Sequence, residues 1–125
     1  FAEDSLVISE KAGAKKYMAK GLKLKAEVLA KMGNMEDAIE LMESALKLAQ
    51  QVGNPPILWQ IHHSLGLLLE KRGNTQEANE HHAEAITLIE ATASRLNDQS
   101  LKISLLTATQ TKAIRDACAR TRPTS

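Results

Sequence analysis

The 125 residues predict an all-α chain of antiparallel helical hairpins, and three observations carry that expectation. The first is self-similarity. Shifting the chain by 40 residues lays 29–50 over 69–90 and makes eight identical pairs: Leu29/Leu69, Lys31/Lys71, Gly33/Gly73, Asn34/Asn74, Ala38/Ala78, Glu40/Glu80, Ala45/Ala85 and Leu48/Leu88. The second is punctuation. Gly33-Asn34 and Gly73-Asn74 each follow an apolar-periodic segment, where a left-handed residue lets a helix stop and turn back. The third is the supply of core residues. With one Phe, one Trp and one Tyr, the interior has to be built from Leu, Ile, Ala and Met, which favours helices over strands.

Taken in order, residues 1–12 read as the end of a preceding repeat, because Leu6 and Gly13 fall over Leu46 and Gly53. "GAKKYM" (13–18) is then a link, and the first full repeat occupies 14–52. Its second helix begins after Asn34, with Met35-Glu36-Asp37 bringing acidic side chains to a helix N-terminus. Ala38, Met42, Ala45 and Ala49 share one stripe, small enough for close helix approach. "GNPPIL" (53–58) is the next link, in which Pro55-Pro56 closes one helix and opens another. The second repeat spans 55–95, with Thr75-Gln76-Glu77 opening its second helix and Ala78, His82, Ala85 and Ile89 on its stripe. Residues 97–119 break the pattern. Asn97-Asp98 caps a helix whose Leu101, Leu105, Ala108 and Lys112 stem continue one face, and "RTRPTS" (120–125) is a frayed tail.

These residues carry a family resemblance. The second unit reads His62-x2-Leu65-Gly66-x2-Leu69, then Gly73, Ala78-x3-His82 and Ala85, and the first reads Leu22-x2-Lys25-Ala26-x2-Leu29, then Gly33, Ala38-x3-Met42 and Ala45. The pattern resembles the tetratricopeptide repeat, W-x2-L-G-x2-Y followed by A-x3-F and a further Ala. Neither unit has the Trp, the Tyr or the closing Pro, and the period is 40 rather than about 34. HEAT-like helix pairs have a similar period and stand as the alternative. The resemblance implies a right-handed solenoid with a C-terminal capping helix. It also implies a non-catalytic module for protein–protein interaction. The long period is similar to that of adaptor families such as the cell-polarity and kinesin-light-chain proteins. The segments 50–74 and 96–108 resemble the ends of such arrays in large bacterial signalling proteins with a nucleotide-cyclase or ATPase module upstream. On that reading the chain is a fragment ending near its parent's natural C-terminus.

The candidate sites are few. All four histidines fall in the doublets His62-His63 and His81-His82. By the resemblance, His62 and His82 face each other across one hairpin. His81 and His82 overlie Leu41 and Met42, so packing is the preferred reading over metal or acid–base work. No HExxH or zinc-spaced Cys/His cluster is present. The stretch 10–31 carries seven lysines (Lys11, Lys15, Lys16, Lys20, Lys23, Lys25 and Lys31) against Glu10 and Glu27. The resemblance places Lys20, Lys23, Glu27 and Lys31 of the first hairpin, and Gln60, His63, Leu67 and Lys71 of the second, on a concave groove. Such a groove steers an acidic peptide. Glu27 stands where a carboxylate clamp needs Asn. Trp59 is expected to wedge between hairpins, and Met18, Met32, Met35 and Met42 to fill core gaps.

Other function classes find no support. No glycine-rich phosphate loop or G-x-S-x-G elbow occurs, and Cys118 has no neighbouring His, so no catalytic residue, metal or cofactor is expected. The net charge of +1 and a single aromatic, Tyr17, among the lysines argue against nucleic acid. No apolar run approaches the roughly 20 residues of a membrane span. A lone cysteine fits a reducing, cytoplasmic setting. The expected partner is a protein or peptide, with self-association through exposed repeat ends as a further route. The alternative role is a structural spacer or oligomerisation arm of a multidomain signalling enzyme.

Overall fold

The computed structural model describes the backbone of residues 2–121 and the side chains of residues 14–121. Six helices follow one another: α1 Ala2–Lys31, α2 Met35–Val52, α3 Pro55–Arg72, α4 Thr75–Arg95, α5 Gln99–Thr107 and α6 Thr109–Thr121. No strand occurs among the described residues. The all-α helical-repeat architecture is therefore as the sequence predicts. The chain divides into two compact units, 1–54 and 55–125.

In the first unit α1 and α2 form one hairpin. Its turn is closed by two backbone bonds, Asn34 N–H to the Leu29 carbonyl (2.9 Å) and Gly33 N–H to the Ala30 carbonyl (3.1 Å), with Gly33 at φ +92°. This is the Schellman pattern, and it satisfies the carbonyls that a helix end leaves without partners. The opposing stripes are small and apolar. Ala19 and Ala26 of α1 are buried, as are Ala38, Ile39, Met42, Ala45 and Ala49 of α2. Alanines bring the backbones close, and Met42, fully enclosed, fills the space left between them. α2 ends at Gly53, whose left-handed conformation (φ +74°) sends its N–H back to the Ala49 carbonyl.

The second unit repeats the device. Asn74 N–H meets the Leu69 carbonyl at 2.8 Å and Gly73 N–H the Glu70 carbonyl at 3.0 Å, with Gly73 at φ +98°. α3 begins at Pro55, where the missing N–H and fixed φ suit a first helical turn. Its buried residues Ile57, Trp59, Ile61, His62, Leu65, Gly66, Leu68 and Leu69 meet Ala78, His82, Ala85, Ile89 and Ala93 of α4. α6 then packs on α4 through Thr111, Ile114 and Ala117, with Thr121 also buried.

Several expectations need correction. The link foreseen at 13–18 is helical, part of an unbroken α1. The side chains of residues 1–13 lie outside the described residues, and with them the reading of 1–12 as the tail of an earlier repeat. The single capping helix at 97–119 is two helices, separated at Ala108, whose extended ψ of +146° ends α5. Asp98 does cap α5, accepting from the Ser100 and Leu101 N–H groups. No residue of α5 is fully buried and Leu101 is exposed, but Leu105 packs against the core as foreseen, while α6 supplies the buried part of the covering face. Of the segment read as frayed, Arg120 and Thr121 are helical and held, while 122–125 lie outside the described residues. Trp59 sits in the core of its own unit with Ala85, Ile89 and Ile114. Met18 and Met32 are exposed rather than gap-filling. The helix starts at Asn34 and Asn74 carry acidic first turns, but neither asparagine side chain caps its helix.

Candidate functional site

The four histidines converge, though not in the register the repeat pattern implies. His62 and His63 lie on α3, and His81 and His82 on α4. The repeat pattern matches His62 to His82. In the structure His62 Nδ1 lies 3.0 Å from His81 Nδ1, and His63 Nδ1 lies 3.1 Å from His82 Nδ1. The rings are tilted, with centroids 5.2 and 5.1 Å apart. His63 and His81 are half-buried, and His82 is wholly enclosed.

His82 occupies a slot made for a flat ring. A Cβ at Gly66 would stand 2.6 Å from its Cε1, 2.8 Å from Nε2 and 2.9 Å from Nδ1, so the glycine exists to let the imidazole lie against the α3 backbone. Both ring nitrogens are engaged. Nε2 is 3.0 Å from Glu70 Oε2, and Nδ1 faces His63. Glu70 also accepts a forked pair of bonds from Arg120, Nε to Oε1 at 2.8 Å and Nη2 to Oε2 at 3.0 Å. Beside this, Asn79 of α4 donates to the Cys118 carbonyl (2.8 Å) and to Thr121 Oγ1 (3.2 Å), fastening α6 a second time.

The electrostatics follow from burial. Enclosure, aided by the positive charge His81 would carry, lowers the His62 pKa to about 4. Burial also lowers that of His82, outweighing the opposing pull of Glu70. For Glu70 burial alone would raise the pKa, but the hydrogen bonds from Arg120 and His82 together hold it below the usual carboxylate range. A carboxylate in that state only accepts, so His82 presents Nε2–H to it. His82 Nδ1 is then bare, and the proton between the rings belongs to Nδ1 of His63. Among the described residues no group of three or more His, Cys, Asp or Glu converges as a metal-binding set. His62 and His82 are buried where α3 meets α4, and the four rings form two pairs at hydrogen-bond distance across the two helices.

The groove residues fare unevenly. On α1, Lys20 and Lys31 are exposed, while Lys23 bonds Glu27 at 2.6 Å along one helix turn. On α3, Leu67 and Lys71 are exposed and Gln60 is half-buried, but His63 turns to His82. The sequence pattern does not single out an exposed apolar row on α1, formed by Tyr17 (76%), Leu24 (64%), Val28 (49%) and Met32 (69%) with the open Gly21 among them. Their spacing of three to four residues, with Gly21 completing the run, was the available signal. The Glu70–Arg120 and Asn79–Thr121 contacts had none, because their partners lie far apart in sequence and outside the repeat period.

The hairpins recur at 40 residues with the same glycine turn, and residues 17–91 match the profile of a family described as Tetratricopeptide repeat. The chain belongs to the tetratricopeptide repeat family. No curated protein matches it. Tetratricopeptide repeats generally mediate protein–protein interaction and are typically non-catalytic. Within them, His82 fills the place where the tetratricopeptide pattern has an aromatic residue, and Gly66 fills the place of its glycine. No helix among the described residues is long and apolar enough to cross a membrane.

Proposed function

We propose that the chain is a non-catalytic binding module that takes a protein or peptide segment on the exposed face of the first helix of each hairpin, and that the segment is acidic. The observation that supports this most is α1. Its described part carries six lysines (Lys15, Lys16, Lys20, Lys23, Lys25 and Lys31) against one acid, Glu27, which Lys23 already neutralises. The remaining cations flank the row Tyr17, Leu24, Val28 and Met32, so the surface offers apolar area bordered by positive charge. On α3, Leu67 and Lys71 offer the same combination on a smaller scale. A preformed helical face loses little ordering entropy on the scaffold side. The test is binding to a peptide set graded in charge and apolar content. Acidic, apolar-containing peptides should bind best, with affinity falling as salt rises, and Lys20→Glu with Lys31→Glu should remove the preference. Equal binding of acidic and basic peptides would contradict the reading.

The 40-residue period supports placing the chain among long-period arrays of larger signalling proteins, and a cytoplasmic setting agrees with its single cysteine. A second reading, a spacer or oligomerisation arm, is favoured by the same apolar row, which on its own invites a covering partner. Sedimentation velocity decides it. Concentration-dependent association lost in Leu24→Glu supports the arm, and a monomer at every concentration opposes it.

A further inference from the structure

The outward side of α1 has the make-up of a packing surface, yet it lies open. Ala19 and Ala26, buried against α2, mark the inward side of the helix. Tyr17, Gly21, Leu24, Val28 and Met32 lie roughly opposite them at 3.6 residues per turn. In α3, 40 residues on, Ile57, Ile61 and Leu68 stand at the places of Tyr17, Gly21 and Val28, and none is more than 5% exposed. The outward side of a first helix is thus apolar in both hairpins and buried in one of them. We propose that the row on α1 is the seat of an amphipathic α-helix from a different protein, lying along α1 with acidic residues beside its apolar stripe. The inference rests on the binding reading above and adds that the acidic segment is helical when bound.

Two features select a helix as the occupant. The first is spacing. Steps of four, three and four residues from Tyr17 through Gly21 and Leu24 to Val28 make a seam of the kind that meets a second helix side by side. Gly21, with nothing within 4 Å of the place of a Cβ, leaves a notch in the middle of the row that receives a partner's side chain. The second is hydrogen bonding. An extended segment brings an N–H and a C=O at each residue, and these require partners. The row offers only the Tyr17 hydroxyl, because the α1 backbone is already bonded along its own helix. A helix carries its backbone bonds with it and loses none on this surface. From Tyr17 to Met32 the row measures about 22 Å, the length of a helix of about 15 residues.

Charge identifies the source of that helix. Lys20 and Lys31 border the row on one side and Lys25 on the other, all three exposed. Glu27, the one acid on the described part of α1, is bonded to Lys23. Two copies of α1 placed row to row would bring these lysines together. The other described faces of the chain supply no better match. α2, α4 and α6 expose no large apolar side chain. α5 exposes Leu101 and Ile103 but contains no acid, and α3 exposes Leu67 one turn from Lys71. A second copy therefore lacks the complement, and the helix belongs to another polypeptide whose Asp or Glu residues flank its stripe.

Two labelled peptides of one composition (Leu, Ala, Glu and Gln), each about 18 residues long, test the proposal on the full chain. In the first, Leu recurs every three to four residues with Glu beside it. In the second, the same residues are rearranged so that Leu stands at every other place. By fluorescence anisotropy the first should bind about tenfold more tightly than the second, or better. It should gain helical circular dichroism on binding and shift the methyl resonances of Leu24, Val28 and Met32. Leu24→Gln, at an exposed place outside the hairpin's own packing, should weaken binding about tenfold. Equal binding of the two isomers would overturn the helical partner and leave the preference for acidic segments standing, whereas failure of both to bind would remove that preference as well. A bound first peptide without helical signal, or a Leu24→Gln chain that binds as before, would also overturn the proposal. So would self-association in sedimentation velocity that the first peptide displaces, because a second copy would then hold the row.

Discussion

Gly66→Ala is the sharpest perturbation, because the same substitution elsewhere in the chain should have the opposite sign. In a helix Gly→Ala contributes about 1 kcal/mol of stability through backbone entropy. At Gly21 of α1 a Cβ meets nothing within 4 Å, so the full gain of about 1 kcal/mol is expected. At Gly66 the Cβ would stand 2.6–2.9 Å from three atoms of the His82 ring, and the ring is tethered at both nitrogens. Overpacking of this kind costs about 1–3 kcal/mol. Displacing the ring also weakens two hydrogen bonds, each contributing about 1 kcal/mol or somewhat more. The net expectation is a loss of about 1–3 kcal/mol. Urea unfolding followed by Trp59 fluorescence reads the second unit, and far-UV circular dichroism reads Gly21→Ala. The first hairpin offers the rescue. Ala26 and Met42 occupy the equivalent positions there, so Gly66→Ala with His82→Met should recover much of the loss. If Gly66→Ala proves neutral or stabilising, the ring does not lie where the account needs it.

Stability of the second unit should fall with pH. The folded pKa of His62 is below its unfolded value, so the unfolded state binds the proton first and stability present above pH 6.5 is lost as pH drops towards about 4. At pH 5 the loss from His62 is about 2 kcal/mol, and His82 adds in the same direction, which urea midpoints at pH 7.5 and 5 will show. Gly73→Ala places a Cβ at φ +98° and should cost about 1–2 kcal/mol, with Gly73→Asn costing less; equal midpoints would deny the left-handed turn. Asn79→Ala removes the bonds to Cys118 and Thr121 and should cost about 1–2 kcal/mol, with α6 exchanging faster.

Features governed by periodicity were legible in the sequence. The glycine turns at Gly33 and Gly73, the buried stripes of α2 and α4, and the start of α3 at Pro55 each follow from a local rule repeated at a fixed spacing. The C-terminal region was less so, because it does not repeat. Nothing in 97–119 marks Ala108 as a break, and only packing on α4 shows that Thr111, Ile114 and Ala117 form the buried face. The histidines illustrate the same divide. Alignment with Leu41 and Met42 identified them as packing residues, whereas the pairing of His62 with His81 and His63 with His82 depends on how the two helices are rotated. The sequence could not foresee that Lys23 would be occupied by Glu27, since both an open lysine and an ion pair fit that spacing.

Long-range proton–nitrogen correlation spectra of the imidazoles at pH 7.5 test the central arrangement most directly. The account predicts His82 as the Nε2–H tautomer, fixed by Glu70, His63 as the Nδ1–H tautomer, and one ring of each kind in the His62–His81 pair. Four histidines showing the same averaged tautomer mixture and each titrating near pH 6.5 would contradict it.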